Sequence, residues 1–304
     1  MKDKPIVSIC CLTYNHALFI KECMDGFLSQ QTTFPVEILI HDDASTDGTD
    51  DILREYERKY PDVVFPLYEK VNRFSSGCQG QMDILFNYSR AHGKYIAYCE
   101  GDDYWTDPLK LQKQVDFMES HPEYSVCFHR CSLLNSETGK MTEDECGSYF
   151  KDGEVGVDLT LDMYFRSWVT QPLTMMFRRS SFSLEWCKRY KYYRDMHEIY
   201  HLLRAGKGYL FSFVGGVYRS HQGGISSQIS KEEYCRVSLP MDKEFYRKTH
   251  EKQAKKIYTE TLEDAVTVFA KKNKLIAIWY AVKHFLVSGK YKTFVKNIRI
   301  IFHG

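Results

Sequence analysis

The 304-residue sequence is most informative at first through what it lacks. It holds neither a G-x-G-x-x-G nor a G-x-x-x-x-G-K-[ST] run, so the glycine-rich loops that cradle phosphates in dehydrogenases and P-loop enzymes are missing. Its ten cysteines include no C-x-x-C pair, which argues against a zinc knuckle or a dithiol redox motif. Several fall in apolar runs (Cys10, Cys11, Cys99, Cys127), where a free thiol fills space as a small buried group, and a reducing cytoplasm is the expected location. No apolar stretch approaches the roughly 20 residues needed to span a bilayer. Met1-Lys2-Asp3-Lys4 leads directly into an apolar run, too short a start for a signal peptide, and export is not expected. Acidic residues are missing from 265–304, which carries eight Lys or Arg, while the preceding residues hold 33 basic and 40 acidic groups. The near-neutral total therefore joins an acidic body to a basic tail, and basic residues gathered there rather than along a groove exclude nucleic acid as the expected partner.

What is present is an alternation of β-rich runs and helical periodicities over the first half, the pattern of a mostly parallel sheet flanked by helices. Strands are expected at 6–12, 36–40, 63–68, 94–99 and 124–128. Helices are expected at 16–29, with Phe19, Ile20, Cys23 and Phe27 on one face, from an Asp47 N-cap to Pro61, near 81–91, and from Pro108 to His121. Residues 135–157, rich in Glu, Asp, Gly and Ser, read as a loop or flap. Strands follow near 173–177 and 209–218, with a helix over 195–205, and the pattern is helical from about 231 onward. The expected division is a catalytic domain over 1–230, with a nucleotide-binding half to about 130 and an acceptor half over 131–230, followed by a helical extension over 231–304.

In open α/β sheets ligands bind beyond the carboxyl ends of strands. Three strands here end in polar clusters: Thr13-Tyr14-Asn15, then Asp42-Asp43-Ala44-Ser45-Thr46-Asp47-Gly48-Thr49, then Glu100-Gly101-Asp102-Asp103. Adjacent carboxylates on such a turn repel each other unless solvated or neutralised by a cation. Mg²⁺ or Mn²⁺, which takes one or two carboxylates plus phosphate oxygens, suits Asp102 and Asp103 better than a full protein cage for Ca²⁺ would. His221, with Arg219 beside it, is read either as a structural residue or as a contact to metal or diphosphate, with Gly223-Gly224 giving a mobile loop.

Together these motifs resemble family 2 glycosyltransferases with the GT-A (Rossmann-like) fold, over roughly residues 5–225; Tyr218-Arg219-Ser220-His221-Gln222-Gly223-Gly224 resembles a stretch common in bacterial members. The resemblance implies transfer of a sugar from a nucleotide-diphosphate sugar, typically a UDP-sugar, to a hydroxyl on a carbohydrate or lipid-linked sugar, with inversion, in surface-polysaccharide or glycolipid synthesis. It implies that Thr13, Tyr14 and Asn15 line the nucleotide pocket, that Asp43 contacts the base with Asp42 supporting its turn, and that Asp103 is the metal ligand with Asp102 nearer the sugar or ribose. It also makes Asp195 the base that deprotonates the acceptor, with Glu198 as fallback; Arg194 stands where members commonly have Glu before the Asp, and a helix N-cap is the competing reading of Asp195. Gln171, Thr174 and Trp105 are acceptor candidates, and Trp168 and Trp186 are either sugar-stacking or core residues.

The tail repeats apolar residues at helical spacing with Lys283, Lys290, Lys292, Lys296 and Arg299 interleaved, so 273–304 either lies on an anionic membrane surface at the cytoplasmic face or packs on protein. The alternative functions are a nucleotidyltransferase, disfavoured by the missing phosphate loop, and a catalytically silent nucleotide-sugar-binding subunit, disfavoured by Asp102, Asp103 and Asp195 occurring together.

Overall fold

Val7–Thr13 forms strand β1, whose consecutive apolar residues are buried on both faces as expected for a central parallel strand. The computed structural model describes residues 4–78, 85–166, 170–224 and 229–303. Helix α1 (Ile20–Leu28) buries Ile20, Cys23, Met24 and Phe27. It begins later than its periodicity predicts, because the amides of His16 and Ala17 are taken by Thr49 Oγ1 and Asp47 Oδ2 at 2.9 Å each. Strand β2 (Val36–Asp42) and helix α2 (Thr49–Lys59) follow. Gly48 occupies the N-cap position at φ 94°, and Asp47 accepts the Thr49 amide from one residue further out.

Strands β3 (Val64–Tyr68), β4 (Tyr95–Tyr98) and β5 (Tyr104–Trp105) lead to α3 (Lys110–Ser120), then to the long β6 (Tyr124–Asn135). The expected flap contains β7 (Lys140–Glu143), which turns straight back onto β6, and β8 (Gly156–Leu159). After α4 (Leu161–Arg166), a 3₁₀ turn over Pro172–Thr174 stands where a strand was expected, and β9 is short (Met176–Arg178). Helices α5 (Leu184–Lys188) and α6 (Asp195–Ala205) precede β10 (Lys207–Ser220).

The sheet runs β3-β2-β1-β4-β9-β6-β10-β5, with β7 on β6 and β8 on β10. It is mixed: β3, β2, β1 and β4 are parallel, β6 and β10 are parallel, and β9, β5, β7 and β8 pair antiparallel. Apart from the two-residue β5, the antiparallel strands follow β6, where short returns such as the four residues between β6 and β7 leave no room for a helical crossover. Val7, Ile9, Ile38, Ile40, Ala97, Leu111 and Met176 form one core beneath these strands.

The chain divides into two compact units, Met1–Lys188 with Tyr193–His221, and Arg189–Tyr192 with Gln222–Gly304. The second is helical: α7 (Lys231–Thr249), α8 (Lys252–Ala270), α9 (Lys274–Ser288) and α10 (Tyr291–His303). Asn273 caps α9 through the amides of Leu275 and Ile276, and Gly289 ends it at φ 70°. Leu262, Ala265, Val266, Phe269, Ala277, Ala281 and Ile301 make a separate core. Among the described residues, no helix is long and apolar enough to cross a membrane.

Candidate functional site

The carboxyl end of β1 is where two acidic turns meet. The Asp43 amide donates to Thr13 O at 3.0 Å, continuing the β1–β2 ladder, while the Gly101 amide donates to Leu12 O at 2.8 Å on the other side. A side chain at Gly101 would put its Cβ 2.8 Å from Thr13 Oγ1, so only glycine lets the Glu100–Asp102 turn approach this closely. Asn15 and Ala44 both adopt left-handed backbone (φ 55° and 63°), a cost accepted where the loops lock together. The lock consists of Asn15 N donating to Ser45 Oγ (2.8 Å), Thr46 N donating to Asn15 Oδ1 (2.8 Å), and Ser45 Oγ donating to Asp42 Oδ1 (2.5 Å). Burial raises the Asp42 carboxyl above its ordinary range, opposed by these Ser45 bonds. Asp43 is buried, and its two oxygens accept the amides of Arg73 (2.6 Å) and Phe74 (3.0 Å). Tyr14 is exposed beside them.

On the Glu100–Asp103 turn, Asp103 is 1% exposed. Its Oδ1 accepts the Arg219 amide at 2.7 Å, and its Oδ2 has no protein partner. Burial, then the charges of Asp102 and Glu100, push its carboxyl well above the usual range. Asp102 Oδ2 lies 3.0 Å from His221 Nε2 and 4.0 Å from His16 Nε2, and its Oδ1 is buried without a partner. Burial raises the Asp102 carboxyl, but the His221 bond and the His16 charge outweigh it and hold the group below its ordinary range. His16 is lowered by burial, partly opposed by Asp102.

Ligand atoms of His16, Asp102 and His221, and those of Glu100, Asp102 and Asp103, each lie within 4.8 Å of one another. A buried carboxylate oxygen without a donor is costly unless a cation completes it, and Asp103 Oδ2 and Asp102 Oδ1 both meet that description. The oxygen-rich set with one or two imidazoles fits a hard or borderline divalent ion such as Mg²⁺ or Mn²⁺. Arg219 is occupied otherwise: its Nε donates to Asp102 O (2.8 Å), its Nη2 to Glu22 (2.6 Å), and its guanidinium lies 4.7 Å from the Phe19 ring. It fastens the end of β10 to the acidic turn. His16, Glu100 and Glu22 were given no role as site residues; Glu100 is part of the third strand-end cluster and His16 directly follows the first, whereas nothing in the helical pattern of α1 marks Glu22.

The structure thus brings together Thr13, Asn15, Asp42, Asp43, Asp102, Asp103, Arg219 and His221. Asp195 is the first residue of α6 and is exposed; Arg194, not Asp195, stands at the N-cap, where its amide donates to His197 Nδ1 at 3.1 Å. The Asp195 carboxylate accepts the Met196 amide at 2.8 Å. Glu198 is buried and accepts the Tyr88 hydroxyl at 3.0 Å. Trp105 is core: 3% exposed, its ring 4.7 Å from Phe27 and its N–H donated to Leu173 O. Thr174 is buried, with its hydroxyl donated to Gln171 O at 2.7 Å. Trp186 stacks on His201 at 4.8 Å, and Trp168 lies outside the described residues. Gln171 lines a hollow of about 260 Å³ with Leu133, Asn135, Lys140, Thr142, Tyr218 and Ser220. A larger groove of about 440 Å³, lined by Lys4, Ile6, His92 and Arg179, lies at the opposite, amino end of β1 and away from the acidic turns.

Residues 8–199 match the family described as Glycosyl transferase family 2. Over 115 residues the chain is 35% identical to the putative teichuronic acid biosynthesis glycosyltransferase TuaG of Bacillus subtilis, covering 38% of this chain and 42% of that protein. The chain spans less than half the length of the curated relatives it matches at 33–43% identity. Residues 1–349 of TarS from S. aureus, in complex with UDP-GlcNAc, superpose with a TM-score of 0.64 at 19% identity, over 92% of this chain and 81% of that one. The mannosyltransferase PcManGT from Pyrobaculum calidifontis, in complex with GDP-Man and Mn²⁺, gives 0.55 at 16% identity, over 99% and 86%. At these identities the structural likeness shows the fold, which is GT-A. With the family match extending over more than half of its length, the chain belongs to glycosyl transferase family 2.

Proposed function

We propose that the chain is an inverting transferase that moves a sugar from a nucleoside-diphosphate donor, a UDP-sugar, to an acceptor hydroxyl with the help of Mn²⁺ or Mg²⁺. The observation that carries this reading is the convergence of two acidic turns on Thr13, one of them holding buried carboxylate oxygens without donors. Asp103 and Asp102, with His221, would hold the ion. When bound, the ion offsets the negative charge that develops on the departing diphosphate. The Arg219 amide fixes Asp103 and the His221 imidazole fixes Asp102, so both carboxylates are oriented before donor arrives. Thr13, Tyr14, Asn15 and Asp43 receive the nucleoside in this reading; each Asp43 oxygen has accepting capacity beyond its one amide.

Asp195 takes the acceptor proton. Its exposure on the first turn of α6 favours that role, since a base must reach the acceptor hydroxyl directly. Glu198, already accepting from Tyr88, is less suited. The acceptor side includes the Gln171 hollow beside Tyr218, whose lining exposes mainly apolar surface suited to the C–H face of a sugar. Synthesis of a surface polysaccharide or glycolipid agrees with the name of TuaG, and a cytoplasmic location with the burial of nine cysteines among the described residues.

The test is donor hydrolysis and transfer with UDP-GlcNAc, other UDP-sugars and GDP-Man, each with and without Mn²⁺. Metal-dependent release of UDP is expected. Tight donor binding without release would leave a silent binding subunit, and release of GDP alone would replace the uridine reading.

A further inference from the structure

Helix α9 carries two apolar faces, and only one is used by the helical unit. Ala277, Ala281 and His284 are buried against α8 and α10, as their spacing of four and three residues requires. Half a turn away, Leu275, Trp279, Val282 and Leu286 form a second stripe at spacings of four, three and four, and they are 79%, 53%, 40% and 75% exposed. The core side also takes the half-buried Ile276, Tyr280 and Val287, so the outward stripe is apolar surface beyond what the helical core uses. A stripe of this kind on a soluble surface marks an interaction site.

Its surroundings identify the partner. Lys283 Nζ sits over the Trp279 ring at 3.7 Å and is lowered by burial and then by the charge of Lys243 on α7. At the amino end of α9, Lys274 Nζ lies 5.6 Å from the ring of Phe302, itself 52% exposed. Exposed Lys292, Lys296 and Arg299 recur at spacings of four and three on α10, and no acidic residue follows Asp264. Glu263 of α8 engages Lys296 at 3.5 Å, while Lys274 and Lys283 border the apolar stripe itself; large apolar side chains with a tryptophan, edged by lysines, match an interface whose interior is hydrocarbon and whose surface is anionic.

We infer that the Leu275–Trp279–Val282–Leu286 face of α9 docks on an anionic lipid bilayer, with the lysines of α9 and α10 at headgroup level. This goes beyond the transferase reading and stands on the helical unit alone, so loss of either would leave the other intact.

The test is sedimentation of the full chain with vesicles of phosphatidylcholine alone or mixed with phosphatidylglycerol. The expected result is salt-sensitive binding to the mixed vesicles only. Leu275→Gln with Trp279→Gln and Leu286→Gln should weaken it by about tenfold or more while leaving the melting transition and donor binding unchanged, because these side chains lie outside the core. Lys274→Gln with Lys283→Gln should weaken binding and flatten its salt dependence. Brominated lipid should quench wild-type tryptophan fluorescence more than that of Trp279→Phe. Absence of binding to mixed vesicles, or equal binding by the triple variant, overturns the inference. So does a wild-type chain that self-associates through this face, seen as a dimer that the triple variant loses without lipid.

Discussion

Asp103 divides its work between two oxygens, one held by the Arg219 amide and one left for a cation. Asp103→Asn keeps an acceptor for that amide, so the fold should survive, and the Mn²⁺-dependent part of the donor-induced thermal shift should disappear. A shift that persists undiminished in the variant would remove Asp103 from the metal site. Asp195 is predicted to behave in the opposite way. Asp195→Asn should leave donor affinity within about twofold and lower turnover by roughly 10²-fold or more, the usual worth of a general base. Near-normal turnover would move the base elsewhere. At this scale the sequence was legible wherever side chains follow a strand end: Thr13, Asp42, Asp43, Asp102 and Asp103 were readable because β1, β2 and β4 are continuous apolar runs. Trp105 and Thr174 were misleading as acceptor contacts, since their burial depends on Leu173 and Gln171, residues distant from Trp105 or placed by a turn that periodicity does not record.

At the scale of elements, the longer helices and central strands were readable, whereas the short α4 and α5 and the peripheral strands were not; of the helix expected near 81–91, residues 81–84 lie outside the described residues and Tyr88–Arg90 is a 3₁₀ turn. β7 is exposed throughout, so it has no alternation to detect, and its pairing with β6 depends on the return at Gly139 (φ 67°). The start of α1 was misread because its amides are taken by Asp47 and Thr49, some thirty residues away. The packing of α7 on α8 carries a prediction of its own. Asp242 on α7 is 3% exposed, and burial pushes its carboxyl up to about 6, with only the Thr261 hydroxyl bond (2.7 Å) opposing. A carboxyl raised on folding favours the native state below its unfolded value near 4 and loses that contribution as pH rises through about 6. The shift of about two units corresponds to roughly 3 kcal/mol at most. Asp242→Asn keeps an acceptor for Thr261 and cannot ionise, so relative to wild type it should gain up to that amount in stability as pH rises from 4 to 7. Denaturant titrations of both proteins across this range measure the difference, and parallel pH profiles would show that Asp242 is already solvated or compensated.

For the whole molecule, the break between an acidic body and a basic, acid-free tail was visible in the charge pattern. The detour that assigns Arg189–Tyr192 to the helical unit was not, because it depends on the Glu244 carboxylate accepting the amides of Lys191 and Tyr192 from fifty residues further on. Each unit has its own core, and the residues of the donor site all belong to the first. A ligand stabilises whatever it binds when folded, by about 2.7 kcal/mol at one hundred times its dissociation constant. For a unit of this size that corresponds to an upward shift of about 5–10 °C. Calorimetry with a UDP-sugar and Mn²⁺ should therefore move the transition of the sheet-containing unit by that amount and leave the helical transition in place, while Asp242→Asn at neutral pH should do the reverse. If instead one transition responded equally to both perturbations, the two cores would be unfolding as a single cooperative body, and ligand binding at the sheet edge would be linked to the stability of the helices.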